Sequence, residues 1–249
     1  MDEVRTGRDG PVFTVTIDRP ARRNAIDGRT AEALAAALIA FEADDTARVL
    51  VLTGAGGVFC AGADLTALDT LAPRIHGDDG PLGFTRRACS KPSIAAIDGW
   101  AVAGGLELAL WCDLRIATPD AQFGCLERRW GVPLVDGGTW QLPRIVGLGR
   151  ALDLVLTGRL ADAAEAAAIG LITRVATDPL AVAVELGHTI AGYPQPTMLV
   201  DRTSIYAGLG LGQQEALAAE ASNGAQVVRD GVAGATRFAA GAGRGGTPA

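Results

Sequence analysis

A chain of 249 residues, 49% of them hydrophobic, is long enough to bury a substantial core, and its formal net charge of −6 argues against broad attraction to nucleic acid or an anionic membrane. With 33 glycines, Ala-rich runs and only 5% aromatic residues, the composition points to close backbone packing among short elements rather than to disorder. No uncharged apolar run reaches the roughly 20 residues of a membrane span, and the four cysteines (Cys60, Cys89, Cys112, Cys125) and two histidines (His76, His188) lack metal-ligand spacing, so reduced structural thiols, no metal and a cytoplasmic setting are expected.

The opening MDEVRTGRDG is charged and lacks the layout of a secretory leader. VFTVTI at 12–17 alternates as a half-buried strand, and Asp27 is placed to cap an Ala/Leu-rich helix running to about Phe41. RVLVLTG at 48–54 predicts a buried strand, followed by the glycine-dense GAGGVFCAGADL and the polar loop PRIHGDDGPLG at 73–83. A short strand at SIAAI (93–97), a helix at GGLELALW (104–111) and a strand at LRIAT (114–118) come next. From Gly147 the pattern turns mostly helical, with Asp162 capping AAEAAAIG, a strand at LITRVA (171–176) and Ala-rich helices from Pro179 onward; the tail GAGRGGTPA is expected to be mobile. Strands alternating with short helices predict an α/β core with a helical C-terminal part, without any repeat of fixed period.

Two glycine-rich segments, VLTGAGGVFCAGADL at 51–65 and AAIDGWAVAGGLELAL at 95–110, each follow a strand and end in the start of a helix. Small residues there give a ligand access to backbone N–H groups that have no intrahelical acceptor, although glycines at such connections also serve packing alone. Neither segment has the G-K-[ST] ending or G-x-G-x-x-G register of a nucleotide loop. Glu107 interrupts the apolar run of the second segment, so it either lies on a wet face or is a buried carboxyl with a task.

FCAGADL at 59–65 and AVAGGLELALWCDLRIA at 101–117 closely resemble the crotonase family, also called the enoyl-CoA hydratase/isomerase family, and the match continues through IDRPARRNAI at 17–26, AQFGCLERRWGVPLVDGGTWQLPRIVG at 121–147 and LTGRLADAAEAAAIGLITRV at 156–175. The resemblance implies a crotonase-like spiral of ββα units over 1–190 and a helical trimerisation region over 191–249, assembled as a homotrimer or a dimer of trimers. It implies an acyl-CoA thioester as substrate, with no separate cofactor because coenzyme A belongs to the substrate. Two backbone donors that stabilise an enolate-like thioester oxygen map onto Ala63 and Gly104, and the two family acids map onto Glu107, for the water, and Glu127, for the proton at C2. Coenzyme A contacts map onto Arg22, Arg23, Ala25, Ala61, Gly62, Asp64, Leu65 and Gly105, with Phe238 and Arg244 from the C-terminal region. Arg22 and Arg23 are otherwise solvated surface cations.

The chain departs from the hydratase pattern at Leu126, where hydratases often carry proline, and at Val135, where they often carry glycine; both leave the water site open. Arg128 and Arg129 either favour ionised Glu127 or face solvent, and Asp136 is either a turn aspartate or an acid near the isomerase position. Hydration of a trans-2-enoyl-CoA is the leading expectation. A Δ3,Δ2-enoyl-CoA isomerase and a non-catalytic acyl-CoA-binding protein are the alternatives, whereas a serine hydrolase lacks its G-x-S-x-G elbow. Acyl selectivity is expected from the 66–90 loop and the C-terminal helices.

Overall fold

The computed structural model describes residues 3–241, which divide into two compact units between Ile190 and Ala191. The chain runs β1 (Val4–Asp9), β2 (Val12–Ile17), α1 (Gly28–Ala43), β3 (Val49–Gly54), α2 (Leu68–Leu71), β4 (Ser93–Ile97), β5 (Trp100–Val102), α3 (Gly104–Trp111), β6 (Leu114–Ala117) and β7 (Gln122–Gly124). It continues through α4 (Gly138–Val146), α5 (Leu148–Thr157), β8 (Ala161–Asp162), α6 (Ala163–Ala168), β9 (Arg174–Val175), α7 (Pro179–Gly192), α8 (Gln195–Gly208) and α9 (Gln213–Ala239).

One sheet has the order β1-β2-β3-β4-β6-β9, all parallel except β1. Its central strands are covered on both faces, which is why VLVL of β3 and SIAAI of β4 read as unbroken buried runs rather than alternating ones. Helix α1 starts where the Asp27 carboxylate accepts the Thr30 amide at 2.9 Å, and it buries Leu34, Leu38 and Phe41 at helical spacing. The charged lead-in is a strand after all: β1 pairs with β2 across a turn at Gly10, whose φ of +53° suits glycine, and its exposed charged side chains fit a sheet edge.

A second, smaller sheet has the order β5-β7-β8, and the bridges Ile26↔Ala63 and Cys60↔Ala101 tie it to the preceding loops. Each turn of the chain thus lays a long strand in the first sheet and a short extended segment in the second before moving on: β2 then Ile26, β3 then 60–63, β4 then β5, β6 then β7. This is the ββα spiral. Its short inner segments deliver the N-termini and loop amides of successive turns to one place.

Two sequence expectations change. The LITRVA strand shrinks to Arg174–Val175, because the amides of Leu171 and Ile172 are spent on the Ala166 carbonyl, closing α6 around the left-handed Gly170. The polar 73–83 loop leads into a buried run, Pro81 to Phe84, and the Phe84 ring packs tilted against Trp111 at a centroid distance of 4.5 Å.

In the second unit α8 and α9 pack together, joined by an Asn223 to Ser204 side-chain hydrogen bond of 3.1 Å, and leave Ile205, Val228, Val232 and Phe238 exposed. The tail beyond Gly241, with Arg244, lies outside the described residues. Among the described residues, no helix is long and apolar enough to cross a membrane, and no group of three or more His, Cys, Asp or Glu side chains is arranged to hold a metal ion.

Candidate active site

A cavity of about 500 Å³ in the first unit is bordered by the 61–65 segment, the end of β5, the start of α3 and the 126–136 stretch. Its polar lining comes from Arg22, Arg23 and Asp64 on one side and Glu107, Glu127 and Asp136 on the other; Leu71, Ile75, Pro81 and Leu82 are among its apolar wall.

The Ala63 and Gly104 amides border this cavity for reasons that lie in the backbone. In the parallel bridge between Ile26 and Ala63, Ile26 donates to the Gly62 carbonyl at 2.8 Å and accepts from the Asp64 amide at 2.7 Å, the two neighbours of Ala63. Successive amides of an extended segment point to opposite sides, so the Ala63 N–H faces away from Ile26. Gly104 is the first residue of α3, where an N–H has no intrahelical acceptor. The two nitrogens are close: a Cβ built on Gly104 would lie 3.5 Å from the Ala63 nitrogen, which puts the nitrogens within about 6 Å of each other by covalent geometry. Ala103 holds the corner at φ +52° and ψ −128°, a conformation normally left to glycine, fixed by its amide donating to the Gly124 carbonyl at 2.8 Å.

Glu107 is not on a wet face. It is buried at 3% exposure, and its Oε1 accepts the amides of Asp136 at 2.9 Å and Gly138 at 2.8 Å. A Cβ at Gly138 would come within 3.0 Å of the Glu107 Cγ and Oε1, so glycine is what lets that backbone close over the carboxyl. Burial, and then the neighbouring Asp136 carboxylate, push the Glu107 pKa up to about 8 despite the two amide bonds, with Glu127 adding a smaller push.

Glu127, at 6% exposure on the 3₁₀ turn Leu126–Trp130, has two buried carboxyl oxygens without any hydrogen-bond partner among the described residues. Burial raises its pKa, and the Arg128 charge offsets only part of that. Both arginines turn away: Arg128 Nε donates to the Val155 carbonyl at 3.3 Å and Arg129 to that of Gly158 at 2.9 Å. An unpaired buried carboxylate is expensive, so burial favours the protonated form of this group.

Arg22 and Arg23 lie exposed at the cavity rim, and Ala25, Ala61 and Leu65 line it. Asp64 lines it too, but its carboxylate is occupied. It accepts the Thr66 amide at 3.1 Å and hydroxyl at 2.7 Å and faces Arg19 at 3.4 Å, which hold its pKa below the usual range although burial opposes this. Gly62 and Gly105 do not themselves line the cavity, although their neighbours Ala61, Ala63 and Gly104 do. A Cβ on Gly105 would lie 2.1 Å from the Cys60 carbonyl, and one on Gly62, with φ +92°, 2.8 Å from the Gly104 nitrogen, so both are glycine for close backbone approach. Phe238 lies in α9, 61% exposed.

The sequence model of the family described as enoyl-CoA hydratase/isomerase matches residues 7–226. The chain belongs to this family. It is 39% identical over 193 residues to an enoyl-CoA hydratase of Mycobacterium tuberculosis, spanning 74% of this chain and 73% of the relative, and 34% identical over 227 residues to a short-chain-enoyl-CoA hydratase of Clostridium acetobutylicum, spanning 88% and 87%. The crystal structure of an enoyl-CoA hydratase from Mycobacterium marinum superposes with a TM-score of 0.91 at 33% identity, covering 96% of each chain. Within this enoyl-CoA hydratase/isomerase framework, sequence reading left three features unassigned: the strained Ala103, the Gly138 amide on Glu107, and Trp100 and Trp130 at the cavity wall. A glycine-like conformation on an alanine carries no sequence signal.

Proposed function

We propose that this protein adds water across the C2–C3 double bond of a trans-2-enoyl-CoA thioester. The observation that carries the reading is a pair of buried carboxyl groups, Glu107 anchored and Glu127 unpartnered among the described residues, on one cavity that Ala63 and Gly104 also line. Family membership and the hydratases among its relatives support the same reading.

The thioester oxygen accepts the Ala63 and Gly104 amides, and each preorganised donor of this kind contributes about 3 kcal/mol as negative charge develops there. Glu107, ionised and oriented by the Asp136 and Gly138 amides, takes a proton from water as the oxygen bonds to C3. The π electrons pass to the thioester oxygen, then return as Glu127 delivers its proton to C2. Transfer of the proton from Glu107 back to Glu127 resets the pair, so one water is consumed and nothing else. These steps use protein groups alone. Arg22 and Arg23 meet the coenzyme A phosphates, and the apolar side chains exposed on α8 and α9 support assembly as a trimer or dimer of trimers.

The test is hydration by the purified protein, read as loss of conjugated thioester absorbance with trans-2-enoyl-CoA substrates of several chain lengths. Turnover by the wild type and its loss in Glu127→Gln support the reading. Acyl-CoA binding without turnover of 2-enoyl or 3-enoyl substrates rejects it in favour of a binding protein, and turnover of 3-enoyl substrates alone favours an isomerase that shuttles one proton through Glu127.

A further inference from the structure

We propose that Asp136 is a positioning residue that fastens the apolar end of the cavity to the water-handling carboxyl, its side chain gripping the 80–85 turn while its own amide grips Glu107. The inference rests on the hydratase reading for its kinetic consequences, but its geometry stands apart from that reading.

Asp136 is 4% exposed, and its Oδ1 accepts the Leu82 amide at 3.0 Å and the Thr85 hydroxyl. In the other direction its amide donates to Glu107 Oε1 at 2.9 Å. Leu82 in turn lines the cavity at 1% exposure, and its Cδ1 would lie 2.6 Å from a Cβ placed on Gly104, so this side chain packs directly on the residue bearing the second amide donor. One residue therefore spans three parts of the site: the wall, the donor pair and the carboxyl. The turn is shaped for this grip. Gly80 has φ +80°, and a Cβ there would lie 2.5 Å from the Thr85 Oγ1 and 3.1 Å from the Asp136 Oδ1. A second tether runs from Arg86, whose guanidinium donates to the Val135 carbonyl at 3.0 Å.

Asparagine would accept the same two hydrogen bonds, so Asp136→Asn separates the grip from the charge. The Asp136 charge acts on Glu107, which Glu127 and the Cys125 thiol also face; burial raises the Asp136 pKa while Arg86 and Arg74 lower it, and the Arg128 charge reaches Glu127 although its Nε is turned to the Val155 carbonyl. Among these groups Asp136 is the largest charge opposing Glu107 ionisation.

The full-length protein and its Asp136→Ala, Asp136→Asn and Thr85→Val variants are compared by hydrogen exchange over residues 80–85 without substrate, and by kinetics across pH and acyl chain length. Loss of the grip is expected to speed Leu82 amide exchange about 10- to 100-fold in Asp136→Ala, with a smaller rise in Thr85→Val, a raised KM and a flattened chain-length preference. Asp136→Asn should restore the slow exchange yet move the acid limb of the rate profile to lower pH. Unchanged exchange in Asp136→Ala overturns the grip, and an unmoved acid limb in Asp136→Asn overturns the action on Glu107. Because exchange is read without turnover, an inactive wild type rejects the hydratase reading while the grip is still decided.

Discussion

Replacing Glu107 by glutamine should abolish hydration and, at alkaline pH, make the protein more stable. Glutamine is isosteric, and its side-chain carbonyl can accept the same Asp136 and Gly138 amides that Glu107 Oε1 accepts now. What it removes is the ionisable group. In the folded chain Glu107 holds its proton up to about pH 8, against 4.5 for an ordinary glutamate. With the folded pKa above the unfolded one, its contribution to stability is fully present below pH 4.5 and is lost as pH rises through about 8. At about 1.4 kcal/mol per pH unit over that window, the loss approaches 5 kcal/mol in the wild type and does not occur in the variant. For a chain of this size that corresponds to a melting-temperature gain of about 10–20 °C for Glu107→Gln at pH 9, shrinking to a few degrees at pH 5.5. Thermal scans of both proteins at one concentration and two pH values measure it. A melting-temperature difference that is the same at both pH values would refute the reasoning, since it would mean that the buried carboxyl carries no pH-dependent cost.

Other expectations follow from the same geometry. Gly104→Ala keeps the amide but puts a methyl 3.5 Å from the Ala63 nitrogen, so kcat/KM should fall by about 10²–10³ with the fold retained by circular dichroism. The pH profile of kcat/KM should drop about tenfold per unit below pH 8 as Glu107 takes up its proton. A flat profile contradicts that role. The double variant Arg22→Ala, Arg23→Ala should raise KM for the acyl-CoA about tenfold with kcat unchanged, an effect that shrinks in high salt; a kcat defect instead would place those arginines nearer the chemistry.

Much of the fold is legible in the sequence because its main signals are local. Asp27 and Asp162 cap the helices expected of them, and the buried strands β3 and β4 are continuous apolar runs. The inner sheet is not legible, since β5, β7 and β8 have two or three residues each and periodicity needs more. Nor is β1, whose charged sequence reflects its exposed edge. At the site, the small residues around Ala63 and Gly104 and the isolated glutamates could be picked out from neighbouring residues. The partners of Asp136 could not: Leu82 lies 54 residues away, and a turn aspartate before two glycines has the same sequence whether it caps a turn or grips a distant loop. At Gly62 and Gly105 glycine records only that something comes close, and the structure adds that backbone does, the Gly104 nitrogen and the Cys60 carbonyl.

The most direct measurement is the structure of the protein bound to an unreactive acyl-CoA. The thioester oxygen should lie about 3 Å from both the Ala63 and Gly104 nitrogens, with the Glu127 carboxyl against C2 and the Glu107 carboxyl against C3. A thioester seated elsewhere, or one whose α and β carbons meet neither acid, would contradict the assignment of water addition to this cavity.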